Sequence, residues 1–589
     1  MIYSALVATR RTFIKMTHLV DPNYIPVTDI EKGKATSKGL RSTLNESVAN
    51  QLSGAVADSD IHTLKHHGTY QQFDRETQHD RKKQFLEPEY SFMIRARIPG
   101  GVCTPKQWLA LDDMCHEFAN DSIRLTTRQT FQLHGVIKSD LKPTFQAMND
   151  VLMDSICGCG DVNRNVMCNP NPVDSSAHET VFAWAKKLSE HLLPTTRAYY
   201  DLWLDGEKVE NPENVEEPIY GPYYLPRKFK AVVAVPPYND VDIYAHCLGY
   251  IAIIEDGELI GYNVTAGGGL GMTHGDPKTY ARLADHIGFC TPDQMLKVAE
   301  ETVKIQRDFG NRVERRFARF KYTIGDRSIE WFKEELNKRL GFELQADKPF
   351  EFISNSDRYG WIEGHDGNWH LNLFIENGRI KDDADAGLQL LSGMRAIAEV
   401  HEGDFRMTPN QNVIIANITP ENRPEIEALV EQFGLQTGPQ ISVIRQNSMA
   451  CVALPTCPLA MAESERYLPE LVTHVEKLTA KHGIADLPIT IRMQGCPNGC
   501  GRAVLAEISF IGKGPGRYNM YLGAGGHGER FSALYQENID EAEILAIVDT
   551  LLGKYATNRA AEERFGDFLV RTGEVKAYEG PQDFHRKGD

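Results

Sequence analysis

The sequence predicts an α+β protein built from two related half-modules, with mixed sheets and helices forming three domains around a central site. Three observations lead there. The chain has 589 residues, too many for one hydrophobic core, so roughly two to four domains are expected. Short alternating runs of strand character are interleaved with longer helical ones. The chain also repeats itself: Arg124-Leu-Thr-Thr-Arg-Gln129 returns as Arg406-Met-Thr-Pro-Asn-Gln411, 282 residues later. Asn165-Val-Met-Cys168 is echoed at the same spacing by Asn447-Ser-Met-Ala450. Gly261-Tyr-Asn263 and the Gly267–Gly269 run are echoed by Arg517-Tyr-Asn519 and Gly523-Ala-Gly-Gly526. Three matches in one order imply a duplication about a pseudo-two-fold axis, and ligands commonly sit at such junctions.

Composition excludes some classes. The chain is 41% hydrophobic and 25% charged, with a formal net charge of −17. That argues against a general nucleic-acid binder, which would carry an excess of Lys and Arg. No window approaches the ~20 apolar residues of a membrane span. Met1 to Met16 has no signal-peptide pattern, and Met16 is an alternative start, so the cytoplasm is expected. Eleven cysteines, unevenly spread, do not suggest a disulfide framework.

Taken in order, residues 1–75 read as an arm, polar and weakly helical over Thr43–Ser59, with a His66-His67 pair read as structural or solvated. Ser91-Phe-Met-Ile-Arg-Ala-Arg97 alternates as a strand and stops at Pro99-Gly-Gly101. A helix is expected over Thr104–Phe118, with Thr104-Pro105 as N-cap and first turn. A second strand is expected over Ser122–Gly135, placing Arg124, Thr126 and Arg128 on one face. Lys228 and Lys230, just before the apolar strand Ala231–Val235, share a side. Alone they read as an exposed basic edge. Arg312–Lys321 reads most simply as a solvated helix face. The two glycine runs lack the spacing of a phosphate loop or a dinucleotide fingerprint.

The halves differ in chemistry. The first carries Arg97, Arg124, Arg128 and Arg164; the second keeps Arg406, has Asn410, and gains four cysteines. Those lie in two pairs, Cys451-Val-Ala-Leu-Pro-Thr-Cys457 and Cys496-Pro-Asn-Gly-Cys500. A helical run from Leu468 to His482 lies between them and could carry the chain across the molecule and back. Two close thiolate pairs suit a soft metal centre, either an iron–sulfur cluster or a zinc ion.

Asn447-Ser-Met-Ala-Cys451, Pro455-Thr-Cys457-Pro and Gly495-Cys-Pro-Asn-Gly-Cys500-Gly resemble the cluster-binding segments of the sulfite and nitrite reductase family. The resemblance runs from about Gly39 to near the C-terminus and is greatest to the hemoprotein subunits of the NADPH-linked assimilatory enzymes. It implies the duplicated fold of that family. Cys451, Cys457, Cys496 and Cys500 would hold a [4Fe-4S] cluster, with Cys500 bridging to siroheme iron and Asn498 beside it. Arg124, Thr126, Arg128 and Gln132 would cradle the siroheme carboxylates, and Arg315, Arg319 and Lys321 would lie over the cofactor. Arg97, Arg164, Lys228 and Lys230 match the family's cationic substrate residues. Having both lysines favours sulfite over nitrite. The implied reaction is six-electron reduction of sulfite to sulfide for cysteine biosynthesis. Lacking a nucleotide or flavin site of its own, the chain would take electrons from an NADPH-oxidising flavoprotein alpha subunit, engaged by the N-terminal arm; a ferredoxin is the alternative donor, and Tyr70-Gln-Gln72 matches a segment of the family. The implied organisation is arm (1–75), ferredoxin-like half-domain (76–156), siroheme and substrate domain (157–345), second ferredoxin-like half-domain (346–438), and cluster and siroheme domain (439–589). A metal-binding scaffold without catalysis is the reading outside enzymes.

Overall fold

The computed structural model describes residues 18–21, 24–170, 176–195, 203–204, 207–208, 217–385, 387–581 and 584–585; the stretch from Met1 to Met16 lies outside them. Four five-stranded sheets, in two matching pairs, make up the frame.

The first pair shows the duplication most directly. One sheet runs Thr69–Phe73, Tyr90–Arg95, Phe131–Val136, Ile123–Leu125, Arg379–Ile380. The other runs Gly360–Glu363, Trp369–Leu373, Val413–Ile418, Asp404–Met407, Val102–Cys103. All their pairings are antiparallel. Each sheet takes its last strand from the other half, so the two halves exchange an edge strand reciprocally. The exchange caps edges that would otherwise be free to aggregate.

The interior follows the sheets. Trp108, fully buried, lies 5.4 Å from Phe131 of one half and 4.8 Å from Phe405 of the other, centroid to centroid. One apolar cluster therefore serves both sheets. Trp108 stands on the helix Pro105–Glu117, which starts with a capping box: Thr104 Oγ1 accepts from the Gln107 N–H at 3.2 Å and Gln107 Oε1 accepts from the Thr104 N–H at 3.0 Å.

The second pair of sheets also matches strand for strand. One runs Asp285–Cys290, Glu258–Ala266, Leu248–Glu255, Ala231–Ala234, Met167–Cys168. The other runs Ala533–Ile539, Arg517–Leu522, Ile508–Gly514, Ile491–Gln494, Ser448–Ala450. In both, the last three strands are parallel and the first three antiparallel. Each sheet has its own apolar core. Gly267 and Gly523, at the ends of equivalent strands, both take positive φ, +91° and +87°.

The predicted single strand Ser122–Gly135 is two strands and a tight turn. Thr126 N–H donates to the Thr130 carbonyl and Gln129 N–H to the Thr126 carbonyl, both at 3.0 Å. Gln129 is left-handed, φ +54°. The second copy repeats the turn: Thr408 N–H donates to Asn412, Gln411 N–H to Thr408, and Gln411 has φ +73°. Arg124, Thr126 and Arg128 therefore do not form one face; Arg124 instead sits opposite Gln132 across the hairpin. Arg312–Lys321 is not a solvated helix face either. Arg312 is buried against Glu31, the stretch holds only a short 3-10 turn at Arg315–Phe317, and an α-helix begins at Phe320. Among the described residues no helix is long and apolar enough to cross a membrane.

Candidate active site

The cysteines arrive on parallel strands. Ser448–Ala450 delivers Cys451 and Ile491–Gln494 delivers Cys496. Parallel pairing requires a crossover, and the helix Leu468–Lys481 supplies it, as the sequence led us to expect. Cys451 N–H donates to the Met493 carbonyl at 3.2 Å. Gly495 N–H donates to Cys451 Sγ at 3.4 Å, and Asn498 Nδ2 to Cys496 Sγ at 3.5 Å. Bonds of this kind orient and tune sulfur ligands. Gly495 must be glycine, because a Cβ there would come 2.6 Å from the Ala462 carbonyl and 2.7 Å from Ala453 Cβ. From the arm, Arg75 clamps the first cysteine loop, donating to the carbonyls of Cys457 at 3.4 Å and of Ala460.

The sulfurs are spread out. No three of the four lie within 4.8 Å of one another. A single zinc ion at about 2.3 Å from each sulfur would draw them closer than that, so the spacing suits a multi-iron cluster. Burial, then the neighbouring thiols, pushes Cys451 up to about 12 and Cys457 up to about 11, and raises Cys496. These thiols keep their protons until metal displaces them. Cys500 is the exposed member. Its carbonyl accepts from Thr127 Oγ1 at 2.8 Å, so the first half's hairpin turn touches the second half's cysteine loop.

Beside Cys500 a cavity is lined by Lys228, Lys230, Cys247, Leu270, Arg319 and Asn498. Phe229, fully buried, has its N–H on the Val162 carbonyl and its carbonyl on the Arg164 N–H. The extended backbone thereby turns both flanking lysines the other way, into the cavity. Neither ammonium has a protein partner among the described residues. Burial first, then Lys230, lowers Lys228 well below the usual lysine range; burial first, then Arg128, brings Lys230 down to about 7. Cys500 lies within electrostatic reach of both and opposes the shift. The glycine run serves close approach: a Cβ on Gly271 would come 2.7 Å from Arg319 Nη2 and 2.9 Å from the Asn498 carbonyl.

The other predicted residues divide. Arg164 is buried and donates to the carbonyls of Gly160 at 2.8 Å and Gly158 at 3.1 Å. Arg128 faces Lys230 and His246, with Nε buried and unpartnered. Arg319 holds Gly271 and Asn498, and its Nε is likewise unpartnered. Arg124 pairs with Glu465 at 3.0 Å and donates to the Ala450 carbonyl at 3.0 Å beside the cysteine loop, and its Nε too is buried and unpartnered among the described residues. Thr126 Oγ1 is used within its own turn, where it meets Thr130 Oγ1 at 2.8 Å. Arg315 grips Asp161 with both terminal nitrogens. Lys321 gives its ammonium to the carbonyls of Gly269, Gly271 and Tyr280. Thr126, Arg315 and Lys321 thus shape the walls, and their polar atoms are engaged within the protein.

Arg97 does not join the cluster. Its guanidinium is forked onto Asp154, and its N–H meets the Asp154 carbonyl at 2.7 Å. Arg95, which the sequence did not single out, is the one that lies beside Arg164. It donates to Gly158, shared with Arg164, at 3.3 Å, and to Cys159 Sγ at 2.9 Å. Gln132, turned to present its amide oxygen, accepts from Arg95 Nε at 3.2 Å. Both arginines fit the alternation; the strand ends at Arg95, and that end point, invisible in the alternation, separates them. Arg95→Ala is expected to cut turnover with little change in melting temperature. Arg97→Ala should lower the melting temperature, by the several degrees that ~1–3 kcal/mol implies, and keep turnover per folded molecule. Equal behaviour of the two variants would refute this assignment.

The second copy's turn meets a different environment. Asn410 donates to Asp357 Oδ1 at 3.0 Å and accepts from Arg502 at 2.9 Å. Arg406 pairs with Asp404. There the nearby cations Arg406 and Arg502 are taken up by Asp404, Asp242 and Asn410.

The comparisons agree with this geometry. The family model "Nitrite/Sulfite reductase ferredoxin-like half domain" matches residues 86–151 and 362–433, and "Nitrite and sulphite reductase 4Fe-4S domain" matches 183–344. Curated proteins named sulfite reductase [NADPH] hemoprotein beta-component are similar over nearly the whole chain. That of Shouchella clausii is 56% identical over 563 residues, 95% of this chain and 98% of the relative. That of Myxococcus xanthus is 55% identical, covering 93% and 97%, and that of Bacillus subtilis 54%, covering 95% and 97%. The chain belongs to the nitrite and sulphite reductase family. The 4Fe-4S domain model falls on the copy without the cysteine set, as expected when one domain type occurs twice. The solved Mycobacterium tuberculosis NirA protein shares the fold, with TM-score 0.75 at 22% identity over 94% of this chain and 98% of that one. The prosthetic groups of the family are siroheme and a [4Fe-4S] cluster. The open sulfur spacing and the unpartnered buried Nε atoms of Arg128 and Arg319 fit them.

Proposed function

We propose that this chain reduces sulfite to sulfide for cysteine biosynthesis, as the hemoprotein component of an NADPH-driven enzyme. The carrying observation is the pair of unpartnered ammonium groups, Lys228 and Lys230, in one cavity with Asn498 and within reach of Cys500. The names of the curated relatives point the same way. Cys451, Cys457, Cys496 and Cys500 would hold the cluster, with Cys500 shared with the siroheme; Arg128 and Arg319 would meet its carboxylates. When bound, the coupled pair supplies the electrons that no side chain can deliver.

The protein's own part is electrostatic and acid–base. Lys228, Lys230, Arg164 and Arg95 concentrate positive charge where a small dianion would sit and stabilise the charge that develops as oxygen leaves. The lysine ammonium groups stand where they can give protons to departing oxygen, with Lys230 poised near neutrality for that exchange. Arg319 and Asn498 hold the cavity wall against the cysteine loop.

The domain organisation given above completes this reading, with the arm, residues 1–75, as contact for a flavoprotein partner in the cytoplasm. The test is anaerobic turnover of the loaded protein with reduced viologen, then with NADPH plus the flavoprotein. Sulfide released from sulfite in both is the expected result. Nitrite reduction without sulfide formation would overturn the substrate, and viologen activity that the flavoprotein never supports would overturn the partner.

A further inference from the structure

A second metal-ligating cluster lies away from this cavity, on the helix Pro105–Glu117. Asp112, Cys115 and His116 occupy positions i, i+3 and i+4, which meet on one helix face. One ligand atom from each lies within 4.8 Å of the others, and among the described residues no other group of three does this. Asp112 is almost fully buried, and among the described residues its Oδ1 has no hydrogen-bond partner. A buried carboxylate oxygen left unpartnered is costly, so something belongs there. His116 is half exposed and opens the cluster to solvent. Asp121 Oδ1 lies 2.9 Å from His116 Nδ1, the carboxylate–imidazole contact that orients metal-binding histidines. Arg395 takes the other Asp112 oxygen and Asp113. Asp112, Asp113 and Asp121 thus bring three carboxylates to this helix face, and Arg395 pairs with the first two.

We propose that Asp112, Cys115 and His116 form a binding site for a thiophilic divalent cation of the zinc class, with Asp121 orienting the imidazole. Mixed sulfur, nitrogen and carboxylate donors select this class over hard cations, and water would complete the shell. Binding exchanges the Cys115 S–H proton, released to solvent, for a metal–sulfur bond; no electrons move. The site lies where this helix meets Leu390–Val400, which carries Arg395 across from the other half, so a bound ion would stiffen that junction.

The test uses the holoenzyme, whose cluster cysteines are already occupied. It is titrated anaerobically with zinc(II), passed through gel filtration in metal-free buffer and assayed for zinc. Wild type is expected to keep one equivalent. His116→Ala, at an exposed position, should lose it with sulfite reduction unchanged; Cys115→Ser should lose it too, and Asp121→Asn should weaken binding about tenfold. Wild type that keeps no zinc, or His116→Ala that keeps as much as wild type, overturns the proposal. Because the readout is bound zinc, it stands apart from the assignment of the catalytic reaction.

Discussion

Cys500→Ser is expected to remove both the cluster and sulfite reduction. Cys500 is the exposed thiol of the set, beside the cavity that holds Lys228 and Lys230. Its backbone is held from two sides: Thr127 donates to its carbonyl, and Gly499 before it is left-handed at φ +75°, with room for no side chain beside Leu270. The variant therefore keeps its loop and loses only the sulfur. Serine offers a harder, poorly ionised oxygen in place of a soft thiolate. Turnover should fall by at least ~100-fold, about 2.7 kcal/mol of barrier. Iron content should drop, and the siroheme spectrum should lose its signature of coupling to the cluster. Melting temperature before metal loading should barely move. A variant with four irons, a coupled spectrum and normal turnover would show that Cys500 is not the shared ligand.

Lys228→Ala and Lys230→Ala carry the second largest effect. Each removes an ammonium that has no protein partner among the described residues, so neither change strands a buried charge there, and prosthetic-group content should be retained. What is lost is attraction for a dianion and a proton source, and a drop of ~10²–10⁴ in turnover is the scale for such groups. The pH dependence has a definite sign. Lys230 is brought down to about 7, so its ammonium is present below that pH and is lost as pH rises through it. Sulfite affinity in wild type should therefore weaken as pH rises through about 7, and Lys230→Arg should flatten the dependence because guanidinium stays charged. Loss of siroheme in step with turnover would make the lysines structural, and an unchanged profile in Lys230→Arg would remove Lys230 from the titration.

Much of the architecture was legible from local chemistry. The repeated Arg-x-Thr-x-x-Gln segment implied a duplication, and both copies fold as the same turn, with the glutamine left-handed at the same place. The Thr104-Pro105 cap and the helix between the cysteine pairs were readable because caps and periodicity act over a few residues. The reciprocal exchange of Val102–Cys103 and Arg379–Ile380 between sheets was not readable, since two-residue strands have no pattern of their own.

By itself the sequence determined the donor inventory: four soft ligands in two pairs, paired lysines before an apolar strand, and a basic half matched to a cysteine half. Only the tertiary structure decided which cations are free to act. Arg97, Arg315 and Lys321 have the same charge as Lys228 and Lys230, but Asp154, Asp161 and a ring of carbonyls take them up, whereas the two lysines have no partner among the described residues. The physical reason is that a cation's availability depends on the acceptors around it. Those acceptors come from segments tens to hundreds of residues away, such as Asp154 for Arg97 and Glu465 for Arg124. Chain spacing says nothing about such meetings; packing of the two halves against each other sets them.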